Sequence, residues 1–307
     1  MSEEKKSAFI FPAFAHDYPD DPFSGLKDFE NIFHCFLKQA ARDVDEDLII
    51  FNSVSKNFLE DEVRTQYITY IYSCALSENF KRNGISPCFT AGYSMGIYSS
   101  LFHSGVISFI DGLLLIRSAY HAIKKVTGDG KFGMCSVIGL SREDISEVIQ
   151  SQVLEVGITN QNSQYAFVLS GTLKDIVVLT DLVIAEGALH THLLKVMLPY
   201  HSTILNETKE IFIEFIKSIH FNNPSTKIIS LIDQRIINDP EDLQTEVVNN
   251  LFTPLNWYKT QLELQRMGLN LFIECGFGNG LVKNAKFIEG NYKFYSAANY
   301  LRNLNTE

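Results

Sequence analysis

Five residues, Gly92-Tyr93-Ser94-Met95-Gly96, constrain this 307-residue chain more than any other stretch. A serine in the spacing G-x-S-x-G makes a nucleophile elbow when a strand runs into it and a helix leaves it, because flanking glycines let the backbone bend sharply and hold the hydroxyl clear of the surface. Both flanks read that way. Residues 85–92, ISPCFTAG, form a short apolar run after Gly84, and residues 93–105, YSMGIYSSLFHSG, read as a turn followed by a helix. The pattern requires a fold in which strands feed helices, so an α/β fold is expected.

The rest of the chain alternates in the same manner. Residues 61–83 predict a helix, with Ile68, Ile71, Tyr72 and Ala75 at i, i+3, i+4 and i+7. Asp111 is the expected cap of a helix over 111–125, on which Leu113, Arg117 and Tyr120 share a face. Between 134 and 198 the order becomes strand, helix, strand, strand, helix, strand: MCSVIGL, SREDISEVIQSQ, VLEVGITNQ, YAFVLSG, LKDIVVLTDLVIAEG and ALHTHLLKVML. This βαββαβ order is that of a ferredoxin-like unit. It is expected as a small insert over residues 128–197, with 1–127 and 198–307 forming the larger subdomain.

Composition narrows the partners. A net charge of −10, from 26 basic and 36 acidic side chains, argues against nucleic acid, whose binding needs a basic footprint. No stretch reaches the roughly 18 apolar residues of a membrane span. The apolar run near the start, interrupted by Pro12, reads as a first buried strand and not as a signal peptide. Five scattered cysteines without CxxC spacing predict reduced thiols in the cytoplasm and no metal centre.

Ser94 needs a base to take its proton. In an α/β-hydrolase the order is Ser, then Asp or Glu, then a late His. The last of the eight histidines here is His220, with nothing resembling a His-bearing loop after it, so that order is not met. His201, in VMLPYHSTIL, lies just where the chain leaves the small insert.

Taken in order, these pieces resemble the malonyl-CoA:acyl carrier protein transacylase family. The stretch AGYSMGIYSSLFHSGVISFIDGLLLIRSAYHA is similar to its G-H-S-x-G-E-x-x-A segment and arginine helix. GKFGMCSVIGL is similar to the strand opening its small subdomain, and ITNQNSQYAFVLSG to N-x-N-x-P-x-Q-x-V-x-[SA]-G. LPYHSTIL resembles the histidine segment, LFTPLNWYKT the N-P-V-x-W segment, and LFIECGFGNGLVK the E-x-G-P-G-x-x-L segment.

The resemblance implies an α/β-hydrolase-like large subdomain with a parallel sheet, carrying the ferredoxin-like insert. It implies Ser94 as nucleophile and His201 as base, the histidine oriented by a backbone carbonyl near Asn256 in place of an aspartate. Met95 would supply an oxyanion N–H, and Arg117 would grip the free carboxylate of a malonyl group. Asn160 and Asn162 would line the cleft. Acyl-CoA would be a substrate, with no cofactor, and the acceptor would be the phosphopantetheine thiol of an acyl carrier protein.

The chain also departs from the family. The glutamine of the first turn, an oxyanion donor, falls on Phe14, which has no side-chain donor; His16 is a candidate substitute. Tyr93 replaces the usual histidine and Ile97 the usual glutamate. Tyr200, before the catalytic histidine, is bulky and compatible with a pocket that excludes α-branched acyl groups. These departures leave two further readings: an editing hydrolase that passes the acyl group to water, and a catalytically weak homologue acting as a binding partner.

Overall fold

The computed structural model describes residues 6–14, 28–44, 48–51, 61–128 and 131–304. It begins with β1 (Ser7–Phe11), α1 (Phe29–Asp43), α2 (Glu62–Arg82), β2 (Phe89–Gly92), α3 (Gly96–His103) and α4 (Phe109–Thr127). There follow β3 (Phe132–Ile138), α5 (Arg142–Ser151), β4 (Val156–Ser163), β5 (Ala166–Thr172), α6 (Leu173–Ala185) and β6 (His190–Leu193). The remainder is α7 (Lys209–Ile216), β7 (Lys227–Ile229), β8 (Ile236–Ile237), α8 (Pro240–Phe252), β9 (Leu255–Asn256), α9 (Trp257–Arg266), β10 (Leu271–Glu274), α10 (Gly280–Ala285), β11 (Lys293–Ser296) and α11 (Ala297–Leu304).

The strands form two sheets in an α/β fold. The first has the order β11-β10-β1-β2-β7-β8, parallel except where β8 pairs antiparallel with β7. Strand side chains alternate between faces. On β1, Phe9 and Phe11 enter one apolar cluster with α2 and α4, while Ala8 and Ile10 enter another with Trp257 and Leu264 of α9. Both faces of β1 are therefore covered, as a parallel sheet requires.

The second sheet has the order β6-β3-β5-β4-β9. Strands β3, β5, β4 and β6 pair antiparallel, and Ile176, Leu179 and Val183 of α6 pack with Val137 and Leu169 against one face. Its fifth strand differs from the sequence expectation. β9 comes from beyond residue 198 and pairs in parallel with β4, Asn160 opposite Leu255 and Gln161 opposite Asn256. The chain that leaves the βαββαβ unit thus returns to extend its sheet by two residues before entering α9.

One helix start also differs. Ser108, not Asp111, is the N-cap of α4; its hydroxyl accepts from the Asp111 N–H while the Asp111 carboxylate accepts from the Ser108 N–H and O–H. Asp111 is the third residue of a reciprocal capping box, so the helix begins at Phe109. Ser141 and Asp144 form the same box at the start of α5.

Candidate active site

The elbow forms because two glycines permit contacts that no side chain allows. A Cβ on Gly92, the last residue of β2, would lie 2.3 Å from the Ile97 Cα, and one on Gly96 would lie 2.0 Å from the Phe11 carbonyl oxygen. The turn between them puts Ser94 at φ 55°, in the left-handed region that non-glycine residues adopt at a cost of about 1–3 kcal/mol. Ser94 directly precedes Met95, the N-cap of α3. The serine oxygen therefore sits at the positive end of a helix.

His201 reaches the serine from 107 residues further along the chain. Its Nε2 lies 2.7 Å from Ser94 Oγ, and its Nδ1 lies 2.5 Å from the Asn250 carbonyl oxygen. A carbonyl can only accept, so the Nδ1–H donates to it and Nε2 is left with a lone pair for the serine hydroxyl. The His201 backbone N–H donates to the adjacent Leu251 carbonyl at 2.9 Å. Both carbonyls belong to the last turn of α8, where carbonyls have no partner within the helix. A helix C-terminus thus fixes the ring and the backbone of the histidine together. It also presents partial negative charge to an imidazolium, the service a carboxylate gives in a triad.

The expected carbonyl near Asn256 is not the one used. The Asn256 carbonyl accepts from Thr260 Oγ1 at 2.9 Å, its side-chain oxygen caps α9 through the Lys259 N–H, and its amide donates to Gln161. Asn256 is thus committed to β9 and the start of α9. The carbonyls that hold His201, those of Asn250 and Leu251, lie six and five residues earlier, where α8 ends.

His201 is buried, with 3% of its surface exposed, and at φ 59° it shares the left-handed strain of Ser94. Burial holds its imidazole down to about 4, only partly offset by the Asn250 hydrogen bond. The ring is therefore neutral near pH 7, the form a general base requires.

Ser94 and His201 open on a narrow cleft also lined by Phe14, Gln66, Met95, Tyr98, Ala119, Tyr200, Asn250 and Leu251. Met95 and Phe14 thus both line this cleft. The Phe14 ring stands edge-on to Tyr200, centroids 6.3 Å apart, and brings no side-chain donor. His16 lies outside the described residues. Gln66 was not anticipated; its signal was a polar residue on a helix otherwise read for its apolar stripe.

Three other expected residues are joined to each other. The Tyr93 hydroxyl donates to Asn162 Oδ1 at 2.8 Å and accepts from Asn160 Nδ2 at 3.1 Å. Its donor is therefore spent within the protein, and the two asparagines, both buried, tie the elbow to β4. Arg117, expected to bind a carboxylate, is half-buried on α4 and makes no hydrogen bond or ion pair with any described residue. Among the described residues no cluster of three or more His, Cys, Asp or Glu could hold a metal ion.

This dyad, a serine elbow served by a histidine on backbone carbonyls, can be compared with known proteins. No family model matches the chain. A polyketide biosynthesis malonyl CoA-acyl carrier protein transacylase, BaeC, of Bacillus velezensis is 31% identical over 211 residues, which cover 66% of this chain and 71% of that protein. The chain belongs to the malonyl-CoA:acyl carrier protein transacylase family. A transacylase of this family from Bacillus subtilis is 29% identical over 217 residues, 69% of this chain and 68% of the relative.

Solved structures of transacylases share the fold. FabD of Xanthomonas oryzae superposes with a TM-score of 0.90 at 21% identity, covering 99% of this chain and 98% of that one. A malonyl-transacylase solved with the acyl carrier protein of a type II polyketide synthase gives 0.86 at 22% identity, covering 95% and 94%.

Proposed function

We propose that this protein transfers a malonyl group from malonyl-CoA, through a seryl ester, to the phosphopantetheine thiol of an acyl carrier protein. The observation that carries the reading is the 2.7 Å contact from Ser94 Oγ to an Nε2 whose tautomer is set by the Asn250 carbonyl. Family membership supplies the substrate class.

In the first half-reaction Ser94 Oγ bonds to the thioester carbonyl carbon as its proton passes to His201 Nε2. The Met95 N–H, at the head of α3, donates to the developing oxyanion. The carbon–sulfur bond breaks, and the CoA thiolate takes the proton back from His201. In the second half-reaction the carrier thiol gives its proton to His201 as its sulfur bonds to the acyl carbon, the seryl ester carbon–oxygen bond breaks, and Ser94 Oγ takes the proton back from His201. Arg117 receives the malonyl carboxylate; having no partner among the described residues, it is not already neutralised by one. The reaction needs no cofactor, because acyl-CoA enters as substrate.

The arrangement is read as two subdomains. Residues 1–127 and 198–307 form an α/β-hydrolase-like unit around the first sheet, and 128–197 form a ferredoxin-like unit whose sheet order is supplemented by β9. Among the described residues no helix is long and apolar enough to cross a membrane; the cytoplasmic reading rests on the carrier-protein substrate proposed above. The intact Ser94–His201 contact speaks against a non-catalytic binding partner.

Mixing the protein with malonyl-CoA and phosphopantetheinylated carrier protein tests transfer against hydrolysis. Malonyl-carrier protein forming at the rate at which CoA thiol is released is the expected result. Free malonate forming in its place would overturn the proposal in favour of the editing hydrolase.

A further inference from the structure

Behind the cleft lies a carboxylate that the reaction above does not use. Glu62 is the first residue of α2 and is only 3% exposed. A buried carboxylate costs several kcal/mol unless its oxygens are satisfied. Here both are: Oε1 accepts from the Tyr200 hydroxyl at 2.8 Å and Oε2 from the Met197 N–H at 3.0 Å. The α2 N-terminus adds its positive end. The Tyr200 hydroxyl in turn accepts from Gln66 Nε2 at 2.8 Å.

These bonds join two segments 135 or more residues apart in sequence. One is the head of α2. The other, residues 197–200, is the stretch that ends at His201. Tyr200 lines the cleft beside Ser94 and His201, with Phe14 standing edge-on to its ring. Tyrosine side chains turn mainly about χ1, and a hydroxyl held by a donor and an acceptor at the far end of the ring prevents that turn. Burial, aided by the neighbouring Glu62 charge, pushes the Tyr200 phenol well above its ordinary range, so the proton that makes the tether is retained.

We propose that Glu62 is a positioning residue that sets acyl-group selectivity: through the Tyr200 hydroxyl it holds the aromatic wall of the cleft in place, so that unbranched acyl groups enter and α-branched ones do not. The inference rests on the acyl-transfer reading of the site. A rigid apolar wall discriminates against one extra methyl group by roughly 10- to 200-fold. A wall free to rotate gives up most of that discrimination.

The test is the ratio of kcat/KM for malonyl-CoA to that for methylmalonyl-CoA, and in parallel for acetyl-CoA to isobutyryl-CoA, in wild type, Glu62→Ala, Glu62→Gln, Tyr200→Phe and the double variant Glu62→Ala/Tyr200→Phe. Glu62→Ala and Tyr200→Phe are each expected to lower the ratio at least about tenfold. The double variant is expected to lower it no further than either single change, because both cut one tether. Glu62→Gln keeps a carbonyl acceptor for the hydroxyl and is expected to restore most of the wild-type ratio.

Unchanged ratios in Glu62→Ala and Tyr200→Phe would overturn the inference, and so would additive effects in the double variant. Should Glu62→Ala fail to fold, the ratio in Tyr200→Phe, with that in Glu62→Gln beside it, decides the matter. A wild type that loads acetyl but not malonyl would overturn the proposed function, and the acetyl-to-isobutyryl ratio would still decide the role of Glu62.

Discussion

His201 can accept the Ser94 proton only while neutral, and its burial carries that condition well into acid. With the imidazole held at about 4, kcat/KM for malonyl-CoA is expected to stay level from about pH 7 to about pH 5 and to fall as pH drops through 4. Initial rates across that range check this; an inflection near 6.5 would mean that the free enzyme exposes the ring. If Arg117 binds the malonyl carboxylate as proposed, Arg117→Ala removes charge-assisted hydrogen bonds to the substrate worth about 1.5–3 kcal/mol, so malonyl loading should fall roughly 10- to 150-fold in kcat/KM while acetyl loading holds or improves. Equal losses on both acyl groups would contradict a carboxylate role. Ser94 and His201 were legible in the sequence because their chemistry is in their side chains. The Asn250 carbonyl was not, since every residue carries a carbonyl and only the end of α8 leaves this one free. Glu62 and Gln66 were hidden for a related reason: on a helix read for its apolar stripe, nothing local marks a polar residue whose partner lies 134 or more residues away.

At the scale of elements, the elbow depends on α3 starting against the end of β1. Gly96→Ala would place a methyl group 2.0 Å from the Phe11 carbonyl oxygen, backbone that cannot move without disturbing β1. Overpacking of this kind costs about 1–3 kcal/mol or more. A urea unfolding midpoint lowered accordingly, with loss of acyl loading, is the expected result; wild-type stability would show that the elbow has slack. The glycine spacing announced this turn because close backbone approach has few solutions. Helix starts were less legible: Asp111 has the chemistry of a cap, but the serine three residues before it completes a capping box and takes the cap position. β9 was invisible as a strand, for two residues carry no periodicity and owe their pairing entirely to β4.

Across the whole molecule, the Ser94–His201 pair is assembled from distant parts of the chain: Ser94 from the turn after β2, and His201 from the return out of the βαββαβ unit onto α8. Tyr93 makes a separate link from the elbow to the βαββαβ unit itself, its hydroxyl joining Asn160 and Asn162 of β4. Tyr93→Phe leaves the buried Asn162 carbonyl without its donor, a loss of about 1–3 kcal/mol that equilibrium unfolding would register. An unchanged stability would show that the two sheets do not depend on this link. The alternation of strands and helices made the α/β class readable, whereas the joining of the two sheets was not, because it rests on tertiary contacts. In the proposed mechanism Ser94, activated by His201, carries the acyl group. Intact-mass measurement of the protein after incubation with malonyl-CoA tests it most directly, with Ser94→Ala as the control. The expected result is a single malonyl adduct on the wild type, discharged on adding phosphopantetheinylated carrier protein, and none on Ser94→Ala. An adduct that persists in Ser94→Ala would contradict it.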